Sequence, residues 1–178
     1  MIAKELPSQL ELRELFDFNP DTGRLIWRRN EKQTSQWNGR LAGKEAGSNN
    51  KNYWRVHIGD KQYSAHRVVW KLAYGSIPHE KQIDHINGDG LDNRLENLRL
   101  VTNRENQLNR SADKGRAYKG VYKKGGGFKA EITHDGERHY VGYFKTAERA
   151  ALEYDNKARE LHGEHARLNF PNVETLAG

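Results

Sequence analysis

Two periods govern where apolar side chains fall along this chain, and the changes between them mark its elements. Leu12, Leu15 and Phe16 share one helical face, which predicts a short amphipathic helix over residues 8–18, stopped by Pro20. Asp21-Thr22-Gly23 turns into a strand at Leu25-Ile26-Trp27, and the polar, Gly- and Asn-rich residues 28–52 read as a loop with room for an edge strand. Trp54, Val56 and Ile58 alternate, Gly59-Asp60 turns and Gln62-Tyr63-Ser64 returns, the pattern of a hairpin. Residues 65–74 read as a helix ended by Gly75 and Pro78. Ile83-Asp84-His85 is a short strand that opens a loop of Asn, Asp and Gly over 87–93, and Leu98, Leu100 and Val101 form a second strand. Thr102 then caps a helix from Asn103 to about Arg110, so the local order is strand, loop, strand, helix.

Residues 111–118 carry neither period nor apolar anchor and read as a linker. Beyond them, strands near 119–123, 128–133 and 138–144 precede one long helix over 146–162. In that helix Ala147, Ala150, Ala151, Tyr154, Ala158 and Leu161 recur at helical spacing, and Gly163 supplies the stop. Its small alanines allow it to lie close on a sheet. There is no internal repeat and no low-complexity tract.

Composition narrows the class. The chain has 178 residues, one ordinary domain or two small ones, and apolar residues make up only 35% of it. A mean hydropathy of -1.03 argues against one large core, while 17 aromatic residues argue against wholesale disorder. Small folded units joined by polar segments fit both. Zero cysteines exclude a disulfide framework and thiolate-ligated zinc or iron-sulfur sites, so a metal must be held by oxygen or imidazole. No run reaches the length of a membrane span and the first residues lack the apolar core of a signal peptide, which makes a cytoplasmic protein with no membrane partner the expectation. A net charge of +6 with interleaved aromatics favours a polyanionic partner.

Asp84-His85 sets a hard oxygen ligand and an imidazole at the end of one strand, and Asn106 lies on the helix after the second. A magnesium-like ion needs few protein ligands, because waters and substrate phosphate complete its octahedron. An imidazole beside it takes a proton from an attacking water near neutral pH. These are the parts of metal-assisted phosphodiester hydrolysis. Two other metal readings fail on spacing. A calcium loop starting at Asp84 would place an oxygen side chain and a glycine where Ile86 and Asp89 stand, and His79-Glu80 has no second His four residues on.

The stretches Ala65-His66-Arg67-Val68-Val69-Trp70, Ile83-Asp84-His85-Ile86-Asn87-Gly88, Asn93-Arg94-Leu95-Glu96-Asn97-Leu98-Arg99 and Val101-Thr102-Asn103-Arg104-Glu105-Asn106 together resemble the HNH homing endonucleases of phages. The resemblance covers roughly residues 60–110. It implies the ββα-metal (His-Me) finger fold, Asp84 and Asn106 as ligands of a single Mg2+ or Mn2+ ion, His85 as general base, and Asn97 holding the His85 ring by a hydrogen bond. Asn106 stands where many relatives of the wider superfamily carry His, and this neutral oxygen donor favours a hard cation over zinc. His66 and Arg67 admit two readings, contact with the scissile phosphate or a helix start packed beneath the site.

Farther on, Lys114, Arg116, Lys119, Lys123, Lys124 and Lys129 fall in a stretch without an acidic residue, with Tyr118, Tyr122 and Phe128 among them. Tyr118-Lys119-Gly120-Val121, Ala130-Glu131-Ile132, Val141-Gly142-Tyr143-Phe144, Thr146-Ala147-Glu148-Arg149-Ala150-Ala151, Tyr154-Asp155 and Leu168-Asn169-Phe170-Pro171 resemble the DNA-binding domain of plant APETALA and ethylene-response factors. That resemblance implies a three-stranded sheet lying in the major groove, with Lys119, Tyr122, Lys124, Glu131, Thr133, Arg138 and Tyr140 at the contact positions. Tyr122, Lys124 and Thr133 stand where the plant proteins commonly have Arg, and Gly125-Gly126-Gly127 replaces their longer turn. A G-rich target therefore does not follow, whereas backbone binding through Lys does.

The expected architecture is α+β: an HNH nuclease domain over 1–110 (helix and hairpins 1–64, ββα core about 65–110), a linker over 111–117, a DNA-binding domain over 118–172 and a tail over 173–178. The expected function is a monomeric, metal-dependent homing endonuclease that nicks double-stranded DNA, phage-encoded and acting in a bacterial cytoplasm. The alternatives are a DNA-binding or transcription-regulating protein on an inactive nuclease scaffold, and a C-terminal segment that binds a protein.

Overall fold

The computed structural model describes residues 5–109, 112 and 115–173. Arg110, where the central helix was expected to end, and Lys114 of the basic stretch lie outside the described residues, as does most of the expected tail. Two compact units divide the chain, Met1–Asn103 and Arg104–Gly178. This division falls after the first residue of the helix that carries Asn106, whereas the sequence pattern places its border beyond that helix.

In the first unit, α1 (Gln9–Leu15) starts at a capping box. The Ser8 hydroxyl accepts from the Glu11 amide at 3.2 Å while the Glu11 carboxylate accepts from the Ser8 amide at 2.7 Å, which satisfies two end-of-helix donors. The helix stops sooner than the pattern predicts. Phe16–Asn19 is β1, antiparallel to β2 (Arg24–Trp27) with Phe16 opposite Trp27 and Phe18 opposite Leu25. Phe16 fits the apolar period of the helix and of the strand alike, and pairing with β2 settles it as strand. The polar stretch that follows contains a helix that the pattern did not predict, α2 (Ser35–Leu41), capped by the Thr34 side chain on the Trp37 amide. It buries no residue fully and attaches through Trp37, edge-on to Trp27 at 5.2 Å, and through Asn38, whose side chain accepts from the Asn30 amide and donates to the Asn30 carbonyl, both at 2.9 Å. With a single apolar anchor it has no stripe to read.

The expected edge strand is β3 (Ser48–Asn50), which flanks the hairpin of β4 (Tyr53–Ile58) and β5 (Lys61–Ser64) in the order β3-β4-β5. α3 (Ala65–Tyr74) buries Ala65, Val68, Val69 and Leu72, the i, i+3, i+4, i+7 stripe of an amphipathic helix, and ends at Gly75. These residues join Leu12, Phe16, Leu25, Val56, Ile83 and Leu98 in one core, each large side chain contributing about 1.5–3 kcal/mol by burial. β6 (Lys81–His85) and β7 (Leu98–Thr102) form a two-stranded antiparallel sheet on that core, and α4 (Asn103–Leu108) follows β7 in the chain. The ββα order is therefore present as expected.

The second unit holds a sheet of β8 (Val121–Lys124), β9 (Gly127–His134) and β10 (Glu137–Phe144), ordered β10-β9-β8, under α5 (Ala147–His162). Val121, Ala130 and Ile132 of the sheet meet Ala150, Ala151, Tyr154 and Ala158 of the helix in its core. Asp155 is 1% exposed, and a charge so buried requires partners. Its carboxylate accepts from the backbone amides of Asn169 and Phe170, both at 2.8 Å. Asn169 in turn accepts from the Lys119 amide at 2.7 Å and donates to the Lys119 carbonyl at 3.2 Å. The segment after α5 is thus fastened beside the start of β8.

Candidate active site and nucleic-acid interface

Asp84 and His85 close β6, both buried. Register sets Asp84 opposite Arg99 of β7, and Oδ2 of Asp84 accepts from Nε and Nη2 of Arg99 at 3.1 and 3.0 Å. From the sequence alone, Arg99 was assigned no role in the site. The available signal was strand pairing, since the two residues are partners across a hairpin whose loop length fixes the register.

The Nε2 atom of His85 stands 3.0 Å from Oδ1 of Asn93. An amide oxygen only accepts, so Nε2 is the donor and carries a proton. This corrects the expected contact with Asn97. Asn93, 1% exposed, meets the ring, while Asn97 ties the loop together. The side-chain oxygen of Asn97 accepts from the Asn87 amide at 3.0 Å, and its Nδ2 donates to Oδ1 of Asn87 at 3.0 Å and to the Asp92 carbonyl at 2.8 Å. The physical reason is backbone satisfaction: a loop folded against a sheet must find partners for its amides, and the carboxamide of Asn97, with both donor and acceptor, matches them. Asp92 accepts from Asn87 and Arg94 as well, and the Arg94 guanidinium holds its carboxyl down at about 2.

Close approach holds this loop on two sides. A Cβ at Gly90 would sit 2.2 Å from the Asn52 carbonyl and 2.6 Å from the Tyr53 ring, and one at Gly23 would sit 2.4 Å from the backbone of Asn93 and Arg94. Gly23 also has φ of +69°, which favours glycine by itself. Only chain without side chains fits at either point, so the turns flanking β1–β2 and β3–β4 position the loop that carries Asn93.

His66, in the first turn of α3, lies with its ring perpendicular to that of His85 at 4.9 Å between centroids. The Tyr53 ring is 6.1 Å from both. Burial above all, then nearby His85, Arg67 and Arg55, presses the pKa of His66 down to about 3, so its ring is neutral at neutral pH. Its Nδ1 is buried and meets no partner among the described residues, and the same holds for Nδ2 of Asn93. Arg67 is next on α3, its pKa lowered by burial. His66 thus joins the His85 ring, and Tyr53 is an addition that the sequence did not single out.

Asn106 lies on α4, whose residues Arg104 and Glu105 pair with Asp135 and His165 within the second unit. Asp84 and Asn106 are oxygen donors, and that chemistry fits a hard divalent cation. Among the described residues no group of three or more His, Cys, Asp or Glu is arranged to hold a metal, so an ion at Asp84 would depend on amide, water and substrate oxygens.

On the three-stranded sheet, Ala130 and Ile132 face α5, and the alternate residues form the opposite, open face. Tyr122 and Lys124, which strand alternation sets on one face, lie on it together with Glu131, Thr133, Arg138 and Tyr140. Lys119 does not. It precedes β8, and its ammonium donates to the carbonyl of Leu108 at the end of α4, a helix C-terminus that attracts a cation. Lys129 and Tyr143, absent from the expected set, do belong to the open face.

A strand ending in Asp-His, a hydrogen-bonded loop, a second strand and a helix make up a ββα finger, and a sequence model described as HNH endonuclease matches residues 63–108. An uncharacterized HNH endonuclease of Acanthamoeba polyphaga mimivirus is 37% identical over 106 residues, 58% of this chain and 56% of that protein. The chain thus spans little more than half the length of that relative. Protein 3.8 of Escherichia phage T7 is 36% identical over 107 residues, 58% of this chain and 88% of that protein. The chain belongs to the HNH endonuclease family. An ethylene-responsive transcription factor of Arabidopsis thaliana, LEP, is 59% identical over 34 residues, 19% of this chain and 16% of that protein. No helix among the described residues is long and apolar enough to cross a membrane.

Proposed function

We propose that this chain is a homing endonuclease that hydrolyses a phosphodiester bond of double-stranded DNA, with the open face of its C-terminal sheet held in the major groove. The observation that carries the reading is the Asp84-His85 pair at the end of β6, its ring held by Asn93 within a loop that Asn97 ties together. Protonation of Nε2 toward Asn93 makes Nδ1 the basic nitrogen of His85. That nitrogen takes a proton from water as the water oxygen attacks phosphorus and one P–O bond breaks. A single Mg2+ or Mn2+ held by Asp84 and Asn106 would supply positive charge at the scissile phosphate. Arg99 shares the Asp84 carboxylate and limits its net charge. His66, neutral and packed on His85, supports the ring, and Arg67, next to it on α3, would meet the scissile phosphate.

One Asp-His and Asn set aligns one scissile phosphate at a time, so the expected product is a nick made by a monomer, in the cytoplasm of a phage's bacterial host. The nuclease border at about residue 110 and the DNA-binding domain over 118–172 belong to this proposal too. The test is supercoiled plasmid with magnesium. Asp84→Ala should lose activity more completely than Asn106→Ala, because the carboxylate carries the charge that holds the cation. Undiminished cleavage in chelator would remove the metal from the reading. Immediate linear product, with a rate rising as the square of protein concentration, would exclude the monomeric nickase.

A further inference from the structure

β10 carries one extra residue. Tyr140 stands opposite Glu131 and Gly142 opposite Ala130, so Val141 is a bulge. With strict alternation after Tyr140, position 143 would turn toward α5. The bulge resets the phase, and Tyr143 comes to stand opposite Lys129 on the open face. On the other side of β9, Lys129 stands opposite Tyr122. The three residues form one rung, Tyr122–Lys129–Tyr143, across the whole sheet.

This rung is held from within. Nζ of Lys129 is 2.7 Å from Oε1 of Glu131 and 5.5 Å from the centroid of the Tyr122 ring. The Arg116 guanidinium lies over the same ring at 4.2 Å, and the Tyr143 hydroxyl donates to the Lys124 carbonyl at 3.1 Å. Glu131 also approaches Arg138 at 3.9 Å. The Lys129 side chain is 25% exposed, whereas Lys124 is exposed at the β8–β9 turn. An ammonium has three donors and Glu131 engages one.

We propose that Lys129 reads a base, and is not a phosphate contact: it donates to the O6 and N7 acceptors of a guanine on the floor of the major groove, flanked by Tyr122 and Tyr143. The inference rests on the reading that this sheet enters the groove. Neighbouring strands are about 4.8 Å apart, so three span about 10 Å, and the groove is about 12 Å wide. With strands running along the groove, edge-strand and turn residues such as Lys124 face its phosphate walls. A middle-strand residue faces the floor, where base edges lie. Glu131 orients the ammonium and offsets part of its charge, so non-specific attraction gives way to direction. The two tyrosines present flat apolar walls to the neighbouring base edges and restrict where the lysine can reach.

The experiment uses the full chain, with metal withheld so that DNA stays intact. A pool of random duplexes is selected for binding, and affinity is then measured by anisotropy on the selected duplex, on its single base-pair variants and on a scrambled duplex, across salt. Lys129→Ala should lose about tenfold discrimination at one G·C pair while keeping its affinity for the scrambled duplex and its salt slope. Lys129→Arg should retain the discrimination, because a guanidinium also pairs with guanine. Lys124→Ala should weaken all duplexes alike and lower the salt slope by about one. If Lys129→Ala also weakens all duplexes alike, the lysine meets phosphate and the inference falls while the groove reading stands. If neither Lys129→Ala nor Lys124→Ala alters binding to any duplex, the groove reading itself fails.

Discussion

Replacing Asn97 by alanine removes three hydrogen bonds at once. Its oxygen accepts from the Asn87 amide at 3.0 Å, and its nitrogen donates to Asn87 Oδ1 at 3.0 Å and to the Asp92 carbonyl at 2.8 Å. The residue is 6% exposed, so water cannot freely replace what is lost. At a net of about 0.5–1.5 kcal/mol for each bond, with the stranded Asn87 amide at the upper end, the expected loss is about 3 kcal/mol. For a unit of about 100 residues each kcal/mol lowers the melting temperature by about 4–8 °C, so a fall of about 12–24 °C is expected. Differential scanning calorimetry of the full chain measures it in the transition of the first unit. Asn97→Asp keeps the acceptor for Asn87 and gives up both donors, and should fall between wild type and alanine. An Asn97→Ala protein that melts within 2 °C of wild type, on the scale set by about 4–8 °C per kcal/mol, would refute the view that this side chain holds the loop.

Other consequences are independent of that one. Asn93→Ala takes away the hydrogen-bond partner of His85 Nε2 at 3.0 Å, so steady-state kinetics should show kcat falling by about tenfold or more with KM unchanged; unaltered kcat would mean that Asn93 does not orient the base. His66 is pressed from an ordinary 6.5 to about 3, so the unfolded chain binds a proton that the folded chain does not. Its contribution to stability is complete above pH 6.5 and is lost toward pH 3, at up to about 1.4 kcal/mol per pH unit. Urea midpoints at two pH values inside that window should differ less in His66→Gln than in wild type, and an equal difference would remove His66 as the source. Asp155→Ala leaves the Asn169 and Phe170 amides without their acceptor. It should destabilise the second unit by about 3 kcal/mol and weaken DNA binding; urea unfolding equal to wild type would contradict this.

How far the sequence could be read depended on whether a residue's neighbours were close in the chain. α3 showed itself through the spacing of Ala65, Val68, Val69 and Leu72, and α5 through its alanines, because a buried stripe is a local pattern. α2 did not, since its aromatic anchor is a single tryptophan meeting another ten residues away and its other tie is the polar Asn38. Phe16 satisfied two periods, and only its pairing with Trp27 decided between them. The same division runs through the site. Asp84 and His85 were legible as residue types at a strand end, whereas Arg99, Asn93 and Tyr53 reach them through register and loop folding. Tyr143 was hidden by the bulge at Val141, which reverses the alternation on which any assignment of faces depends. Lys119 looked like a member of a basic run, but a helix end nearby in space takes its charge.

The central claim is that His85 activates water at a metal-dependent site, and one measurement bears on it most directly. Purified wild type and His85→Ala are incubated with supercoiled plasmid, each with magnesium and with chelator, and open-circle product is followed over time alongside binding to the same DNA. Wild type should nick only with magnesium, and His85→Ala should bind equally well but cleave about 10²- to 10⁴-fold more slowly. Wild-type cleavage that persists in chelator, or a His85→Ala rate within threefold of wild type where about 10²-fold or more is required, would contradict the account.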